Sequence, residues 1–164
     1  MPIQPGDRIP EVALKRIREG VETVDTRALF DNKKVVLFAV PGAFTPTCSE
    51  RHLPGFVERY EDFHKRGIEV LCMSVNDPFV MKAWGESQHV PQGLQMLADG
   101  NAEFTRALGL EMDASGYGMG TRSKRFALPE SANPDGIAAT GRNGVLEISI
   151  PKRPEASPRR INVQ

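Results

Sequence analysis

Three short apolar runs, each followed by a segment with helix signals, constrain the fold of this chain most strongly. The runs are 35-VVLFAV-40, 68-IEVLCMSV-75 and 94-LQMLAD-99. Apolar and polar residues do not alternate strictly along them, which is typical of strands buried on both faces of a parallel sheet. The resulting series of three strands and three helices predicts an α/β fold with parallel strands covered by helices.

The segments between the runs carry different helix signals. After Thr47, apolar residues recur at helical spacing, and Pro54 should bend or weaken this helix near its start. The tripeptide 76-NDP-78 is a helix-start signature. The segment 101-NAEFTRALGL-110 predicts a short helix capped by Asn101.

Composition narrows the functional classes. The 164 residues predict one domain with its own core, and 21 basic against 21 acidic residues give no sign of a nucleic-acid or membrane-surface partner. No secretory signal and no apolar run of ~18 residues is found. Two cysteines are too few for a disulfide framework, which fits a reducing, cytoplasmic setting. The scattered Cys and His residues predict no metal site and no cofactor.

The loop 40-VPGAFTPTCSERHLPGF-56 should place Cys48 in the first turn of a helix, at the carboxyl edge of the sheet. Ligands of open α/β sheets bind at this edge, and the backbone N–H groups and dipole of a helix start favour a thiolate. Thr45 lies within hydrogen-bond reach of the sulfur, and Pro41 and Pro46 stiffen the loop. A lone cysteine is more often an inert core residue, but an inert cysteine needs no such loop.

This loop, together with LCMSVNDPFVMKAW, LQMLADGNAEFTRALGLEMD and GMGTRSKRFAL, resembles the type II, or peroxiredoxin-5-like, peroxiredoxins. The resemblance covers residues from about 2 to 128. It implies a thioredoxin-like fold with a mixed central sheet flanked by helices, and reduction of hydrogen peroxide or alkyl hydroperoxides. The family motif Pro-x-x-x-Thr-x-x-Cys matches Pro41, Thr45 and Cys48, and the family's later arginine matches Arg125.

The resemblance also implies the roles of these residues. The Cys48 thiolate attacks a peroxide oxygen and becomes a sulfenic acid. Arg125 keeps the thiolate charged and binds the peroxide, Thr45 hydrogen-bonds the peroxide, and Pro41 shields the sulfur from water. The implied partners are a second copy in a homodimer and a reductant, either glutathione with glutaredoxin or thioredoxin. Because no cysteine follows Cys72, an external thiol is expected, and glutathione with glutaredoxin is favoured.

Three other residues allow two interpretations each. Cys72 lies mid-strand, where a thiol is usually part of the core, but it is also the one candidate for a resolving disulfide with Cys48. His52 lies four residues after Cys48, and a structural hydrogen bond is favoured over a role as catalytic base. Arg122 either supports Arg125 or is solvated.

The character of the sequence changes at Arg125. The segment 125-RFALP-129 is a strand candidate, and 137-IAATGRNGVLEISI-150 predicts a hairpin around Asn143-Gly144. The strand VLEISI could pair with the strand that carries Arg125. Residues 152–164 hold prolines and charges with little to bury, which predicts an extended, mobile tail.

Residues from about 125 to 164 resemble the second half of the α-crystallin domain of bacterial small heat-shock proteins. The similarity lies in RFALP, NGVLEISIPK and 161-INV-163. It divides the chain into a peroxiredoxin domain over 1–128, a hairpin segment over 129–151 and a tail over 152–164. It also implies an alternative function, a chaperone-like protein that forms oligomers through this segment.

Overall fold

The computed structural model describes residues 1–3, 7–124, 138–142 and 145–149, the last two ranges by their backbone alone. Its elements in chain order are β1 (Ala13–Ile17), β2 (Val21–Asp25), α1 (Thr26–Phe30), β3 (Lys34–Val40), a π-helical turn (Cys48–His52), α2 (Leu53–Glu58), α3 (Tyr60–Lys65), β4 (Ile68–Ser74), α4 (Pro78–Ser87), β5 (Gln95–Ala98), α5 (Glu103–Ala107), β6 (Glu111–Asp113), a 3₁₀ turn (Ser115–Tyr117), β7 (Thr121–Ser123), β8 (Ala138–Arg142) and β9 (Val145–Ser149). No helix within the described residues is long and apolar enough to cross a membrane.

The central sheet is mixed, with the strand order β2-β1-β5-β4-β3. Strand β4 pairs in parallel with both β3 and β5, as the three apolar runs predicted. Strand β1 runs antiparallel to β5 and to β2, so an N-terminal hairpin completes the sheet. The α/β prediction is therefore confirmed, although the sequence pattern had not indicated the hairpin.

The sheet separates two apolar clusters, which explains why its central strands do not alternate between apolar and polar residues. Along β3 and β4, successive side chains point to opposite faces, and both faces are buried. The cluster on one face comprises Val36, Phe38, Val40, Cys48, Leu53, Phe63, Ile68, Val70, Cys72, Met81, Trp84, Leu94 and Ala98. The cluster on the other face comprises Leu14, Val24, Leu29, Phe30, Val35, Ala39, Leu71, Met73, Leu97, Phe104 and Leu108.

The helix that follows β3 is irregular at the point where Pro54 was expected to disturb it. The chain is already helical at Pro46, widens into the π turn, and continues as α2 with Pro54 in its first turn. Within the π turn the N–H of Leu53 donates to the carbonyl of Cys48. Pro54 has no N–H to donate and its ring crowds the carbonyl four residues before it. A wider turn directly before Pro54 relieves that crowding, so the prediction is confirmed.

The two later helices begin in different ways. Helix α4 starts as predicted, with Pro78 in its first turn and the Asp77 carboxylate accepting from the Val80 N–H at 2.9 Å. The predicted Asn101 cap of α5 is wrong. Ala102 occupies the cap position with a left-handed backbone (φ 58°) and no side-chain cap bond. The buried carboxylate of Asp99 instead accepts from the N–H groups of Phe104 (3.1 Å) and Thr105 (2.8 Å).

The predicted C-terminal hairpin is confirmed for its two strands. Strands β8 and β9 pair antiparallel with Arg142 opposite Val145, and β8 lies beside the edge strand β3. The turn residues Asn143 and Gly144, the strand candidate at 125–129 and the tail at 152–164 lie outside the described residues.

Candidate active site

Cys48 lies at the carboxyl end of β3, in the first turn of the helical segment that begins at Pro46. The carbonyl of Thr45 accepts the first helical hydrogen bond, from the Ser49 N–H at 3.0 Å. The position predicted for Cys48 is therefore confirmed. Its side chain is only 2% exposed and forms part of the first apolar cluster, so the sulfur is buried rather than on the surface.

The loop before Cys48 fixes the hydroxyl group of Thr45. Its Oγ1 donates to the carbonyl of Gly42 at 2.8 Å, so the hydroxyl oxygen keeps only its accepting capacity for a group that enters the site. A β-carbon at Gly42 would lie 3.2 Å from Cγ2 of Thr45 and 3.9 Å from Sδ of Met119. The loop is thus closely packed at Gly42, with the side chains of Thr45 and Met119 nearby. Pro41 is half-buried at the start of the loop.

Asn76 ties this loop to the neighbouring strand. Its Oδ1 accepts from the backbone N–H of Ala43 at 3.0 Å and from Oγ of Ser74 at 2.7 Å. Ser74 is fully buried at the end of β4. The sequence pattern had indicated only a helix start at 76-NDP-78, although a polar residue directly after a buried strand is also a signal for a site at that sheet edge.

Trp84 anchors the other side of Cys48. Its side chain is fully buried on α4, and Nε1 donates to Oγ of Ser49 at 3.0 Å. Ser49 directly follows Cys48, so this bond holds the turn that carries the sulfur against α4. Helical spacing alone marks Trp84 as a core residue, and its indole N–H was the only sign that it needs a polar partner.

Cys72 lies in the middle of β4, opposite Phe38 on β3 and Met96 on β5. It is completely buried in the same apolar cluster as Cys48, and both cysteines are free thiols. Burial, and after it the charge of the nearby Cys48 thiolate, raises the pKa of the Cys72 thiol well above its usual range. The surroundings therefore keep Cys72 protonated, as expected of a core thiol.

His52 packs within a small aromatic group beneath the Cys48 turn. Its ring centroid lies 5.3 Å from that of Phe38 and 5.9 Å from that of Phe56. The two phenylalanine rings stack at 3.9 Å. These contacts give His52 a packing role beside the Cys48 turn.

Of the two candidate arginines, Arg122 is described and Arg125 is not. Arg122 on β7 is partly buried and its Nη1 donates to the carbonyl of Val75, just after β4. Arg122 is therefore not a fully solvated side chain. The N–H of Lys124 donates to the carbonyl of Leu110 at 2.8 Å, so the backbone is held directly before Arg125, which lies outside the described residues.

The arrangement offers sulfur chemistry in a buried, apolar environment. A thiol at a helix start and a hydroxyl oxygen that can only accept a hydrogen bond suit a small substrate that carries its own O–H group. Across residues 1–3 and 7–124, no group of three or more His, Cys, Asp or Glu side chains is placed to hold a metal ion.

Comparison with known proteins supports this chemistry. The Redoxin family profile matches residues 4–129. Peroxiredoxin-2B of Arabidopsis thaliana is 48% identical over 130 residues, which are 77% of this chain and 80% of the plant protein. The hybrid peroxiredoxin hyPrx5 of Haemophilus influenzae is 44% identical over 126 residues, which are 75% of this chain but 52% of the longer hybrid.

Solved structures of peroxiredoxins have the same fold. Reduced Prx3 of Vibrio vulnificus in complex with hydrogen peroxide superimposes with a TM-score of 0.75 at 44% identity, covering 94% of this chain and 90% of the other. Peroxiredoxin 5 of Alvinella pompejana gives a TM-score of 0.72 at 34% identity, covering 93% and 91%. The predicted thioredoxin-like fold is thus confirmed, while the family match ends at residue 129 and lends no support to the small heat-shock protein resemblance. The family match spans most of the sequence, and the sequence relatives and solved structures named above are all peroxiredoxins. This chain therefore belongs to the redoxin family as a peroxiredoxin, a peroxidase that reduces peroxides with thiols.

Proposed function

We propose that Cys48 is the peroxidatic cysteine and that Thr45 orients the peroxide. The observation that carries this proposal is the hydrogen bond from Thr45 Oγ1 to Gly42, which leaves the hydroxyl oxygen as an acceptor one helical turn from the sulfur. A peroxide that donates its O–H to Thr45 presents an oxygen to the thiolate. The S–O bond forms as the O–O bond breaks, and the departing oxygen takes a proton to become water or an alcohol.

Pro41 and Arg125 complete the proposed site. Pro41 is half-buried at the mouth of the loop, where it can keep water from the sulfur. Arg125 is included because it matches the family's arginine. It also directly follows Lys124, whose backbone N–H donates to the carbonyl of Leu110. A guanidinium near the sulfur favours the thiolate and can bind the peroxide oxygens.

We further propose that glutathione is the first reductant of the Cys48 sulfenic acid, with glutaredoxin releasing it afterwards. The thiol attacks the sulfenic sulfur, water leaves, and a mixed disulfide remains. Two observations support a small external thiol over Cys72 or a large protein: Cys72 is buried in its protonated form, and Cys48 is only 2% exposed. We also propose that the protein works in the cytoplasm, a reducing compartment, as its two cysteines suggest.

A homodimer is the proposed assembly. Three large apolar side chains are exposed near the active-site loop: Phe44 (55%), Phe79 (66%) and Tyr117 (85%). Phe44 belongs to the loop, Phe79 follows the Asn76 that bonds to the loop, and Tyr117 lies two residues before Met119. Exposed apolar groups around one site are typical of an interface. Phe79→Glu should convert the dimer to a monomer in analytical ultracentrifugation, and an unchanged mass would remove this surface from the proposal.

Site-directed variants test the catalytic proposal. Cys48→Ser should abolish peroxide consumption with glutathione and glutaredoxin, whereas Cys72→Ser should leave the oxidation step intact. Mass spectrometry of the peroxide-treated protein should find glutathione on Cys48. Activity in Cys48→Ser would disprove the assignment, and a Cys48–Cys72 disulfide in place of glutathionylation would disprove the reductant. The chaperone-like alternative gains no support from the family match or from the relatives named above.

A further inference from the structure

We infer that Asn76 is a positioning residue for the reaction of Cys48 with peroxide. It holds the turn at residues 42–45 in a strained backbone conformation that keeps the hydroxyl oxygen of Thr45 in place. This inference rests on the proposed functions of Cys48 and Thr45. Asn76 acts through the backbone of the turn and does not have to touch the peroxide.

The turn is strained at Phe44. Its φ is 62°, in the left-handed region, where the β-carbon of an L-residue is crowded by its own backbone. A turn with positive φ at its third residue ordinarily has glycine or asparagine there. The Phe44 side chain is 55% exposed, so its packing within this chain does not compensate for the strain. The left-handed conformation must therefore be held by contacts of the neighbouring residues.

Hydrogen bonds on both sides of Phe44 supply this restraint. Before it, the backbone N–H of Ala43 donates to Oδ1 of Asn76 at 3.0 Å. After it, Oγ1 of Thr45 donates to the carbonyl of Gly42 at 2.8 Å. The Thr45 bond lies within the turn and relaxes together with it, whereas the Asn76 bond ties the turn to a different element. Asn76 therefore decides whether the strained conformation is kept.

The carboxamide of Asn76 is itself fixed to the end of β4. Oγ of Ser74, which is fully buried, donates to the same Oδ1 atom at 2.7 Å. The carbonyl of Ser74 accepts from the Asp99 N–H at 3.0 Å, and the carbonyl of Val75 accepts from Nη1 of Arg122. The segment that carries Asn76 is thus bonded to two other parts of the chain, so it does not follow the turn when the turn relaxes.

Loss of the Asn76 bond should impair one part of the site and spare the other. Without it, Phe44 can return to negative φ, and Thr45, the next residue, moves its hydroxyl oxygen away from the position of the peroxide. Cys48 is held separately, by burial and by the hydrogen bond that ties the next residue, Ser49, to α4. The thiolate should therefore stay reactive while its reaction with peroxide slows.

Substitutions at Phe44 separate the strain from other effects. Phe44→Gly removes the β-carbon and with it the strain, so the turn no longer needs the restraint. Phe44→Ala removes the same aromatic ring but keeps the β-carbon, which makes it the matched control for lost contacts of the ring. Asn76→Ala is combined with each of them. Asp77→Ala is the control for the segment after β4, because it deletes the neighbouring side-chain bond, from the Val80 N–H at 2.9 Å, and leaves the Ala43 bond in place.

Rapid-quench mass spectrometry should measure two reactions of Cys48: oxidation by hydrogen peroxide, and alkylation by acrylonitrile, a small electrophile without a hydrogen-bond donor for Thr45. Asn76→Ala should slow oxidation by about five- to hundredfold, the factor by which such strain favours the relaxed backbone. Alkylation should keep its wild-type rate and pH profile. In the Phe44→Ala background Asn76→Ala should slow oxidation by the same factor, whereas in the Phe44→Gly background it should have little effect. Asp77→Ala should be oxidised at the wild-type rate.

The outcomes separate the inference from the proposed function. If hydrogen peroxide does not convert wild-type Cys48 to a sulfenic acid, the proposed function fails, and the inference with it. If it does, but Asn76→Ala is oxidised at the wild-type rate, or slows oxidation equally in the Phe44→Gly and Phe44→Ala backgrounds, the inference alone is overturned. Slowing of oxidation and alkylation together in Asn76→Ala would also overturn it, because the whole site would then be damaged.

A second variant covers the case in which Asn76→Ala does not fold. Ser74→Ala removes the donor that orients the carboxamide of Asn76 and leaves the carboxamide itself in place. It should slow oxidation in the Phe44→Ala background more than in the Phe44→Gly background, and an equal effect in both would overturn the inference.

Discussion

Cys72 offers a quantitative test of the core environment next to the active site, through the pH dependence of stability. Burial, followed by the charge of Cys48, raises the pKa of Cys72 well above its usual range, so the folded protein keeps this thiol protonated in mildly alkaline solution. In the unfolded chain the same thiol loses its proton near pH 8.5. The folded state then binds one proton more than the unfolded state, and the free energy of unfolding must fall as the pH rises.

The size of this loss follows from the unfolded thiol alone. With an unfolded pKa of about 8.5, ionisation stabilises the unfolded chain by about 1.4 kcal/mol at pH 9.5 and by almost nothing at pH 7. Below pH 8.5 the contribution of the protonated thiol to stability is fully present, and it is lost progressively above that pH until the folded thiol titrates as well. A Cys72→Val variant has no thiol to ionise and lacks this loss.

Urea unfolding at pH 7 and pH 9.5, with a phosphine reductant present, should therefore show that the wild-type protein loses about 1.4 kcal/mol more than Cys72→Val. Cys72→Ala is the control, because it has a different baseline stability but the same absence of a titrating group. The extra loss should persist in a Cys48→Ser background, since burial is the larger cause. Equal losses in the wild type and both variants would refute the argument and would make Cys72 an ionised thiol, available to resolve a sulfenic acid.

Two substitutions test the loop and the α5 cap. Gly42→Ala should slow Cys48 oxidation by about ten- to hundredfold in stopped-flow assays. The added methyl group would lie 3.2 Å from Cγ2 of Thr45 and would displace that side chain. Gly55→Ala is the control and should not slow the reaction, because nothing lies within 4 Å of the added methyl group. A wild-type rate for Gly42→Ala would remove Thr45 from the site. Asp99→Ala should lower the free energy of unfolding by about 0.5–2 kcal/mol through the lost cap of α5, and Asn101→Ala should change it by less than about 0.5 kcal/mol. The reverse order would mean that Asn101 is the cap after all.

The central elements could be predicted because their signals are local. Strands β3 and β4 bury both faces, so each appears as a continuous apolar run, and Asp77-Pro78 starts α4 with residues adjacent in the chain. The N-terminal hairpin gives no such signal. Leu14 is the one buried residue of β1, and Val24 is the one buried residue of β2, so neither strand has an apolar period to detect.

The cap of α5 escaped prediction because its acceptor lies outside the helix. Asp99 directly follows β5 and accepts from the N–H groups of Phe104 and Thr105, five and six residues later, which a local cap rule does not anticipate. The residues of the candidate active site also fall into two groups, those with a local sequence signal and those held by long-range contacts. Cys48 and Thr45 were predicted from one short loop, whereas Asn76 lies 33 residues from the Ala43 it binds and Trp84 lies 35 residues from Ser49. Such contacts depend on which strands and helices become neighbours after folding.

The two long-range anchors hold different parts of the site, and this difference has a mechanistic consequence. Asn76 fixes the loop before Cys48, through the N–H of Ala43, to the buried end of β4. The hydrogen bond from Trp84 Nε1 to Ser49 Oγ fixes the turn after Cys48 to α4. Because these restraints share no atom, losing one of them leaves the other and the Thr45–Gly42 bond in place. Substitutions at Asn76 and at Trp84 should therefore disturb the loop before Cys48 and the turn after it separately.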